Sequence, residues 1–318
     1  MKAGPVRRSA VRSIGSLTRR ARWVALGSII LFVSCASPAS FGTYVHPRVK
    51  GPADPSFAFL VIGDYGIANS AETAVAHAME QWTQERPVDA FISTGDNVYP
   101  EAEPKYFEAA WTIPFGWVDE AGIPVIAALG NHDLEDESSQ PLIDFLDLPG
   151  AWYSRSLGMV DVFVLDANHP HNAEQYAWAA GALKTSTAPW KIVIVHKPPF
   201  DCGRYSGEPA VRERYVPLFT EAGVDLVLSG HDHNYQRFAP LDGVSYIVTG
   251  GGGDSIYGLS DMCLAVTPSR VAGNDSMHHF LVLEGTTKRL VGFVVGTDGS
   301  ILDRFVLEQG RHQTREGR

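Results

Sequence analysis

Short apolar runs recur along the chain, and each of them ends in a turn that carries polar side chains. Five such runs cover residues 57–62, 90–94, 123–129, 191–195 and 224–229. Continuous apolar runs of this length are typical of buried parallel strands. Amphipathic segments between them predict helices over residues 71–85, 104–111, 173–184 and 209–222. Alternating strands and helices indicate an α/β fold with parallel βαβ units.

The pattern changes after Gly230, where shorter turns separate the apolar segments. Strands are predicted over residues 244–249, 279–283, 290–295 and 301–307, and Thr297-Asp298-Gly299-Ser300 indicates a hairpin. We expect these strands to form a second, more antiparallel sheet in the same domain. The predicted fold is therefore a four-layer α/β/β/α sandwich of two mixed sheets flanked by helices, in one domain over residues 57–309.

The two ends of the chain differ from this domain in composition. Residues 1–34 contain seven basic side chains and no acidic one, and their apolar stretch of 12 residues is too short to span a membrane. These features predict a signal peptide. Residues 35–56 contain four prolines and predict a tether, and the polar residues 310–318 predict a flexible tail.

The segment Phe32-Val33-Ser34-Cys35 is similar to a bacterial lipoprotein cleavage box. Cleavage before Cys35 leaves it as the lipid-carrying first residue, which predicts a protein exported to the periplasm or cell surface and held at the membrane through Cys35. Phe32 departs from this box, which usually has leucine at that position. An ordinary signal peptide cut near Ala36 is the alternative, and it also predicts export.

The charge of the chain limits its partners. It has 26 basic and 36 acidic residues, and without residues 1–34 the formal charge changes from −10 to −17. Binding to nucleic-acid phosphates requires clustered lysine and arginine side chains. We therefore expect no nucleic-acid binding, whereas a small phosphate ester remains compatible with this composition.

Export also bears on the cysteines. If Cys35 carries lipid, Cys202 and Cys263 remain, and an even pair in an oxidising compartment favours a disulfide between them. Two unrelated free thiols are the alternative.

Five polar motifs follow the five apolar runs directly. They are Asp64-Tyr65-Gly66, Gly95-Asp96-Asn97-Val98-Tyr99, Gly130-Asn131-His132-Asp133, Val193-Ile194-Val195-His196 and Gly230-His231-Asp232-His233. Because sites in open α/β sheets form at the carboxyl ends of the strands, we expect these side chains to converge. Two carboxylates, three imidazoles, an amide and a phenol are enough donors for two metal ions and too many for one structural zinc. Two adjacent metals are typical of enzymes that catalyse in-line attack on phosphorus.

In this order, the five motifs resemble those of the calcineurin-like metallophosphoesterases and, within that superfamily, the purple acid phosphatases. The resemblance covers about residues 57–308. It implies the metallophosphoesterase fold and an acid phosphatase that hydrolyses small phosphomonoesters by in-line attack of a metal-bound hydroxide. A phosphodiesterase or nucleotidase of the same fold is the alternative, and a non-catalytic lipoprotein that keeps the fold is a third possibility.

Two positions point to the purple acid phosphatases in particular. Most metallophosphoesterases have a histidine where this chain has Gly66, and Tyr99 offers a phenolate in its place. A phenolate stabilises a trivalent hard cation better than it stabilises zinc. The resemblance thus implies Fe(III) at this position, with a divalent ion (Fe, Zn or Mn) beside it. A tyrosine that only packs against the loop is the alternative for Tyr99.

The resemblance also implies which residue binds which ion. The Fe(III) site takes Asp64, Tyr99 and His233, the divalent site takes Asn131, His196 and His231, and Asp96 bridges the two.

His132 is the expected catalytic residue. The family places this histidine over the substrate oxygens, where a protonated imidazole can protonate the leaving alkoxide. Asp133 either orients His132 or caps the turn that follows. His169 and His171, after another strand, are candidates for the rim of the pocket or for plain surface positions.

Overall fold

Thirteen strands and six α-helices make up the body of the protein, which the computed structural model describes over residues 44–52, 55–134 and 138–309. The predicted signal peptide, Cys35 and residues 310–318 lie outside the described residues. The strands are β1 (Phe57–Ile62), β2 (Ala90–Ser93), β3 (Val125–Ala127), β4 (Tyr153–Leu157), β5 (Val160–Leu165), β6 (Trp190–Val195), β7 (Leu226–Ser229), β8 (Tyr235–Phe238), β9 (Ser245–Thr249), β10 (Arg270–Asn274), β11 (His279–Gly285), β12 (Arg289–Gly296) and β13 (Ile301–Glu308).

These strands form two mixed sheets. The first has the order β13-β12-β11-β1-β2-β3, with β1, β2 and β3 parallel and the other three strands antiparallel to their neighbours. The second has the order β10-β8-β9-β7-β6-β5-β4, with a parallel centre and antiparallel strands at its edges. The predicted fold of two mixed sheets with flanking helices is confirmed.

The antiparallel strands do not form a sheet of their own, and this part of the sequence-based prediction was wrong. β9 lies parallel to β7 inside the second sheet, whereas β11 pairs with β1 and extends the first. The chain therefore returns to the free edge of β1 after completing the second sheet. The predicted hairpin at Thr297-Asp298-Gly299-Ser300 connects β12 to β13, with Gly299 at a φ of 83°.

The helices are α1 (Ser70–Glu85), α2 (Pro104–Phe107), α3 (Ile113–Glu120), α4 (Gln140–Phe145), α5 (Ala173–Thr185) and α6 (Pro209–Ala222). Asn69 is the N-cap of α1, and its side chain accepts a hydrogen bond from the Glu72 backbone, whereas α6 ends at left-handed Gly223. The helix predicted over 104–111 continues further, because a π-helical turn (Glu108–Thr112) joins α2 to α3. Pro114 has no backbone N–H to donate, and the wider turn before it lets the helix continue.

Alternating side chains of the second sheet enter two different cores. In β6, Ile192 and Ile194 belong to the large cluster that also contains the first sheet, whereas Val193 and Val195 pack with residues of α5 and α6. Both faces of these strands are therefore buried, which explains their continuous apolar sequence. Packing on both faces fixes the positions of the strand ends, where the predicted ligands lie.

Part of the segment predicted as a tether contacts the domain. The Val45 backbone donates to the Asp298 carbonyl, and the His46 ring stacks on Trp82. The domain boundaries themselves stay a prediction. Within the described ranges, no helix is both long and apolar enough to cross a membrane.

Candidate metal centre

The predicted ligands meet at one edge of the molecule because six of them follow strand ends. Asp64, Asp96 and Asn131 come after β1, β2 and β3, in the parallel half of the first sheet. His196 comes after β6, and the pair His231 and His233 after β7, in the parallel centre of the second sheet. Each sheet thus presents the carboxyl ends of its parallel strands to the same place.

Two clusters of donor atoms form there, and Asp96 belongs to both. One contains Asp96, His196 and His231, the other Asp64, Asp96 and His233, and within each cluster the donor atoms lie within 4.8 Å of one another. A carboxylate common to two such clusters is the arrangement that a bridging ligand requires. His231 and His233 are two residues apart and contribute to different clusters, as the resemblance implies.

Tyr99 and Asn131 are the predicted ligands of other residue types. The Tyr99 hydroxyl donates to Asp96 Oδ2 at 3.1 Å and is 3.4 Å from His233 Nε2, which places it at the Asp64 cluster. The Asn131 side-chain oxygen is buried and has no hydrogen-bond partner within the described part of the chain. A buried acceptor left without a donor is costly, and a cation would satisfy it.

Backbone carbonyls orient two of the imidazoles. His196 Nδ1 donates to the Thr94 carbonyl at 3.0 Å and His233 Nδ1 donates to the Ser255 carbonyl at 3.0 Å. Because a carbonyl can only accept, the proton of the neutral ring lies on Nδ1 in both cases and the Nε2 lone pair faces the centre.

Those lone pairs face carboxylates. His196 Nε2 is 3.3 Å from Asp96 Oδ2, and His233 Nε2 is 3.5 Å from Asp64 Oδ1. Two acceptors at this distance repel unless a proton or a cation lies between them. The donor set therefore fits bound metal ions.

Burial shifts the acid–base equilibria of the site. It raises the pKa of Asp64 well above its ordinary value, and the negative charge of Asp96 adds to this effect. Burial would also raise the pKa of Asp96, but the charge and hydrogen bond of His196 hold it below the ordinary value. Burial lowers the pKa of His231 to about 3 and also lowers that of His233, so both rings are neutral and ready to ligate at neutral pH.

Tyr99 behaves differently from these groups. Burial and the charges of Asp64 and Asp96 raise its pKa, so that the phenol is neutral without a cation. Only a strong positive charge at the Asp64 cluster would make it a phenolate.

Three of the predicted ligands lie on strained backbone. Asp64, Asp96 and His231 have φ values of 59°, 52° and 69°, in the left-handed region that side-chain-bearing residues rarely adopt. Such positions cost on the order of 1–3 kcal/mol each and are concentrated at functional sites. A side chain at Gly66 is excluded, because its Cβ would lie 1.8 Å from the Asn97 carbonyl oxygen.

His132 lies against Tyr99, with ring centroids 4.5 Å apart, and its Nδ1 donates to the Pro100 carbonyl at 2.7 Å. Its backbone N–H donates to Asp96 Oδ1 at 2.9 Å. The hydrogen bond at Nδ1 leaves Nε2 as the atom that can exchange a proton with a bound molecule.

Asp133 does not contact the His132 ring in the way that one sequence-based alternative proposed. It is fully buried and accepts hydrogen bonds from the backbone of Gly130, Asn97 and Val98 and from the Asn97 side chain. It thus joins the loop after β2 to the loop after β3 and fixes Asp96 relative to Asn131. The motif spacing gave no signal for this role.

Two tyrosines stack on predicted ligand histidines, and the sequence analysis did not identify either tyrosine. Tyr205 stacks on His231 with centroids 4.2 Å apart, and Tyr257 stacks on His233 at 4.1 Å. Cys202 and Cys263 form a disulfide that ties the loop carrying Tyr205 to the loop carrying Tyr257. The predicted disulfide is therefore confirmed.

The remaining candidates lie outside the centre. His169 is exposed and its Nδ1 lies 2.7 Å from Asp166, and His171 is exposed as well. Neither belongs to the donor clusters found among the described residues. Their neighbour Asn168 does contribute, because its side chain donates to the Gly130 carbonyl at 2.9 Å and so supports the Asn131 loop.

The family model of calcineurin-like phosphoesterases matches residues 57–235, more than half of the chain. The chain belongs to this family, and it is a metal-dependent hydrolase of phosphoester bonds. Together with the two donor clusters, the relatives described below indicate a dinuclear metal centre.

Several of the proteins most similar to this chain are purple acid phosphatases. Purple acid phosphatase 17 of Arabidopsis thaliana is 27% identical over 247 residues, which cover 64% of this chain and 70% of the relative. The structure of purple acid phosphatase PPD1 from yellow lupin seeds aligns with a TM-score of 0.70 at 19% identity, over 81% of this chain and 55% of that one. GAP50, described as the anchor in the inner membrane complex of Plasmodium, aligns with a TM-score of 0.69 at 18% identity, over 80% and 89%. At these identities the two structures support the fold alone.

Proposed function

We propose that this protein is a binuclear acid phosphatase of the purple type, acting on small phosphomonoesters. The observation that carries the proposal is the pair of donor clusters that share Asp96, with the Tyr99 hydroxyl 3.1 Å from the same carboxylate. A phenol beside a bridging carboxylate suits a trivalent ion in one cluster and a divalent ion in the other.

Each residue then has a defined part. Asp64, Tyr99 and His233 would hold Fe(III), and Asn131, His196 and His231 would hold the divalent ion (Fe, Zn or Mn), with Asp96 between them. When bound, the two cations supply Lewis acidity for the ester oxygens and lower the pKa of water. The protein residues hold the ligating atoms in place: Thr94 and Ser255 through their carbonyls, and Asp133 through its loop contacts.

His132 is proposed as the general acid. Its Nδ1 donates to the Pro100 carbonyl, so that a protonated ring directs the Nε2 proton toward a bound ester. That proton would go to the leaving alkoxide. The contact with Tyr99 holds the ring beside the Asp64 cluster.

Metal analysis and a visible spectrum test the proposal. Protein purified without chelators should contain iron and one further metal, and the oxidised form should be pink to violet because of the Tyr99 phenolate. A colourless protein with stoichiometric Fe(III) would contradict the Tyr99 assignment. A colourless protein with only zinc or manganese would make it a metallophosphoesterase of another kind.

Diester hydrolysis and nucleotidase activity remain the alternatives, since they require the same centre and differ in the surrounding loops. Parallel rates on para-nitrophenyl phosphate and bis-para-nitrophenyl phosphate separate monoesterase from diesterase activity. A structural role, such as the anchor role given to GAP50, would need no filled donor set. No hydrolysis by the fully metallated protein between pH 4 and 8 would favour that role.

We also propose that the protein is exported and held at a membrane through a lipid on Cys35. The disulfide between Cys202 and Cys263 supports export, because such bonds persist in oxidising compartments. Mass spectrometry of the mature N-terminus should find acylated Cys35, and Cys35→Ser should release the protein from the membrane fraction. A mature chain that begins after Ala36 without lipid would favour the ordinary signal peptide.

A further inference from the structure

A single exposed arginine lies over the two tyrosines that cover the metal centre. The Arg204 guanidinium carbon is 4.6 Å from the centre of the Tyr257 ring and 5.6 Å from that of Tyr205. Each of these rings in turn stacks on a ligand histidine, Tyr205 on His231 and Tyr257 on His233. The guanidinium therefore lies one stacking layer outside both donor clusters.

The backbone that carries Arg204 is held firmly. Its N–H donates to Asp232 Oδ2 at 2.7 Å, and the following Tyr205 and Ser206 backbones donate to Asp201 Oδ2. The disulfide at Cys202 joins this loop to the loop of Tyr257. The position of Arg204 is thus fixed by contacts at the backbone, by the tyrosine rings and by a covalent link.

Among the described residues, its charge has no carboxylate partner. Arg86, Arg237 and Arg270 each form an ion pair with a carboxylate, at 2.5, 2.7 and 3.6 Å. Within the described ranges, no carboxylate lies at ion-pair distance from Arg204, although the domain is strongly acidic. A cation stacked on aromatic rings keeps its outward N–H groups available for an anion.

We propose that Arg204 binds a second anionic group of the ester, so that the preferred substrates are phosphomonoesters whose alcohol part carries a carboxylate or a further phosphate. This inference rests on the proposed function. The scissile phosphate would occupy the metal centre and the second anion would reach the guanidinium beyond the histidine and tyrosine rings. Tyr205 and Tyr257 act as positioning residues that hold the guanidinium.

Uncleavable phosphonates test this binding without turnover. Propylphosphonate has no second anionic group, 3-phosphonopropionate has a carboxylate, and propane-1,3-bisphosphonate has a second phosphonate. Their affinities for the metal-loaded protein are measured by isothermal titration at constant ionic strength, for the wild type and for Arg204→Gln. Arg155→Gln is the matched control, because Arg155 is also exposed and lies 5.9 Å from the centre of a tyrosine ring, on β4 away from the centre.

Arg204→Gln should weaken the binding of the phosphonates with a second anion by about tenfold, the size of a charge-assisted hydrogen bond in partly exposed surroundings, and that of propylphosphonate by less than about twofold. Arg155→Gln should change none of them. If Arg204→Gln weakens the binding of only one of the two phosphonates that carry a second anionic group, that result identifies the second group as a carboxylate or a phosphate. An equal loss for all three, or no loss, would overturn the proposal.

Turnover separates this inference from the proposed function. Wild type should prefer 3-phosphoglycerate to glycerol 3-phosphate in kcat/KM, and Arg204→Gln should lose this preference, mainly through a lower kcat/KM for 3-phosphoglycerate. If the wild type hydrolyses neither ester but still binds the phosphonates in an Arg204-dependent way, the proposed function fails and the binding site stands. If it hydrolyses both equally and Arg204→Gln is unchanged, the site is wrong and the phosphatase assignment stands.

Discussion

The two sheets supply different kinds of donor to the same centre. The first sheet carries only oxygen donors, on Asp64, Asp96, Tyr99 and Asn131, and the second carries only imidazoles, on His196, His231 and His233. In the proposed assignment, the Asp64 cluster has a carboxylate and a phenol oxygen of its own and one nitrogen. The other receives one neutral oxygen and two nitrogens. Hard trivalent ions prefer the first set and borderline divalent ions the second, so the difference between the sheets supports the proposed pair of unlike metal ions.

The two groups of donors are also held in different ways. Strained backbone positions Asp64 and Asp96, whose φ values are 59° and 52°. Backbone carbonyls and stacked tyrosines position the imidazoles, and a disulfide ties the loops of the two tyrosines together. His231 shares this strained conformation at a φ of 69°, so the imidazoles are set apart by the additional contacts that their rings make.

Removing the shared carboxylate is the most severe test of this division. Asp96→Ala should lose both cations and all activity, because Asp96 belongs to both clusters and its charge offsets that of two cations. His196→Ala should lose only the divalent ion, since His196 belongs to one cluster. Metal content per chain, measured on variants with unchanged circular dichroism, checks both results. Retention of both metals in Asp96→Ala would contradict the bridging role.

His132 comes next, because it follows an oxygen donor in sequence but is not itself a proposed ligand. His132→Ala should keep both metals and lower turnover by about 10²-fold, the usual size of a general-acid contribution. The loss should be smaller for para-nitrophenyl phosphate than for an alkyl phosphate, because a good leaving group needs no proton. An equal loss for both esters would indicate that His132 only positions the phosphate.

Tyr99→Phe removes only the hydroxyl group of Tyr99 and should change the remaining predicted ligands little. The phenyl ring fills the same space, so the fold and the contact with His132 should remain. We expect the colour to disappear and the affinity for Fe(III) to fall, since no side chain fits at Gly66 to replace the phenol. His233→Ala, which removes the nitrogen donor of the same cluster, is the matched variant and should shift the colour without abolishing it. A Tyr99→Phe protein that stays violet would exclude Tyr99 as the chromophore.

Sequence predicted the parts of the centre that depend on strand ends. Residues directly after an apolar run, such as Asp64 and His196, could be placed because parallel strands end at the same edge. The later strands could not be assigned to a sheet, because β9 and β11 are both short, continuously buried runs although they join different sheets. Strand pairing is decided by long-range packing that local periodicity does not encode.

The supporting contacts were equally hidden. Asn168, Tyr205 and Tyr257 lie far in sequence from the residues that they contact, and loop tyrosines are common without any such role. The disulfide was predictable only as an even pair of cysteines in an exported protein. These contacts depend on the conformations of long loops, which the motifs do not determine.

The last prediction concerns a contact that supports the loop after Asp64, and its effect is on the pH dependence of stability. Glu72 in α1 is buried, and one of its carboxylate oxygens accepts from the Ala68 backbone in the loop that follows Asp64. Burial raises the pKa of Glu72 from an ordinary 4.5 to about 8. The folded protein therefore holds this proton more tightly than the unfolded chain between those two pH values.

Stability from this group should be fully present below about pH 4.5 and decline as the pH rises toward 8, by up to about 1.4 kcal/mol per pH unit. Glu72→Gln keeps an acceptor for the Ala68 N–H and cannot ionise, so that this decline should disappear and the variant should be the more stable protein at pH 8. Glu120→Gln, at the exposed end of α3, is the matched control and should leave the decline unchanged. Urea unfolding of the metal-loaded proteins at several pH values measures the difference. Parallel curves for wild type and Glu72→Gln would mean that Glu72 is ionised in the folded protein, and that the loop after Asp64 is held by a carboxylate.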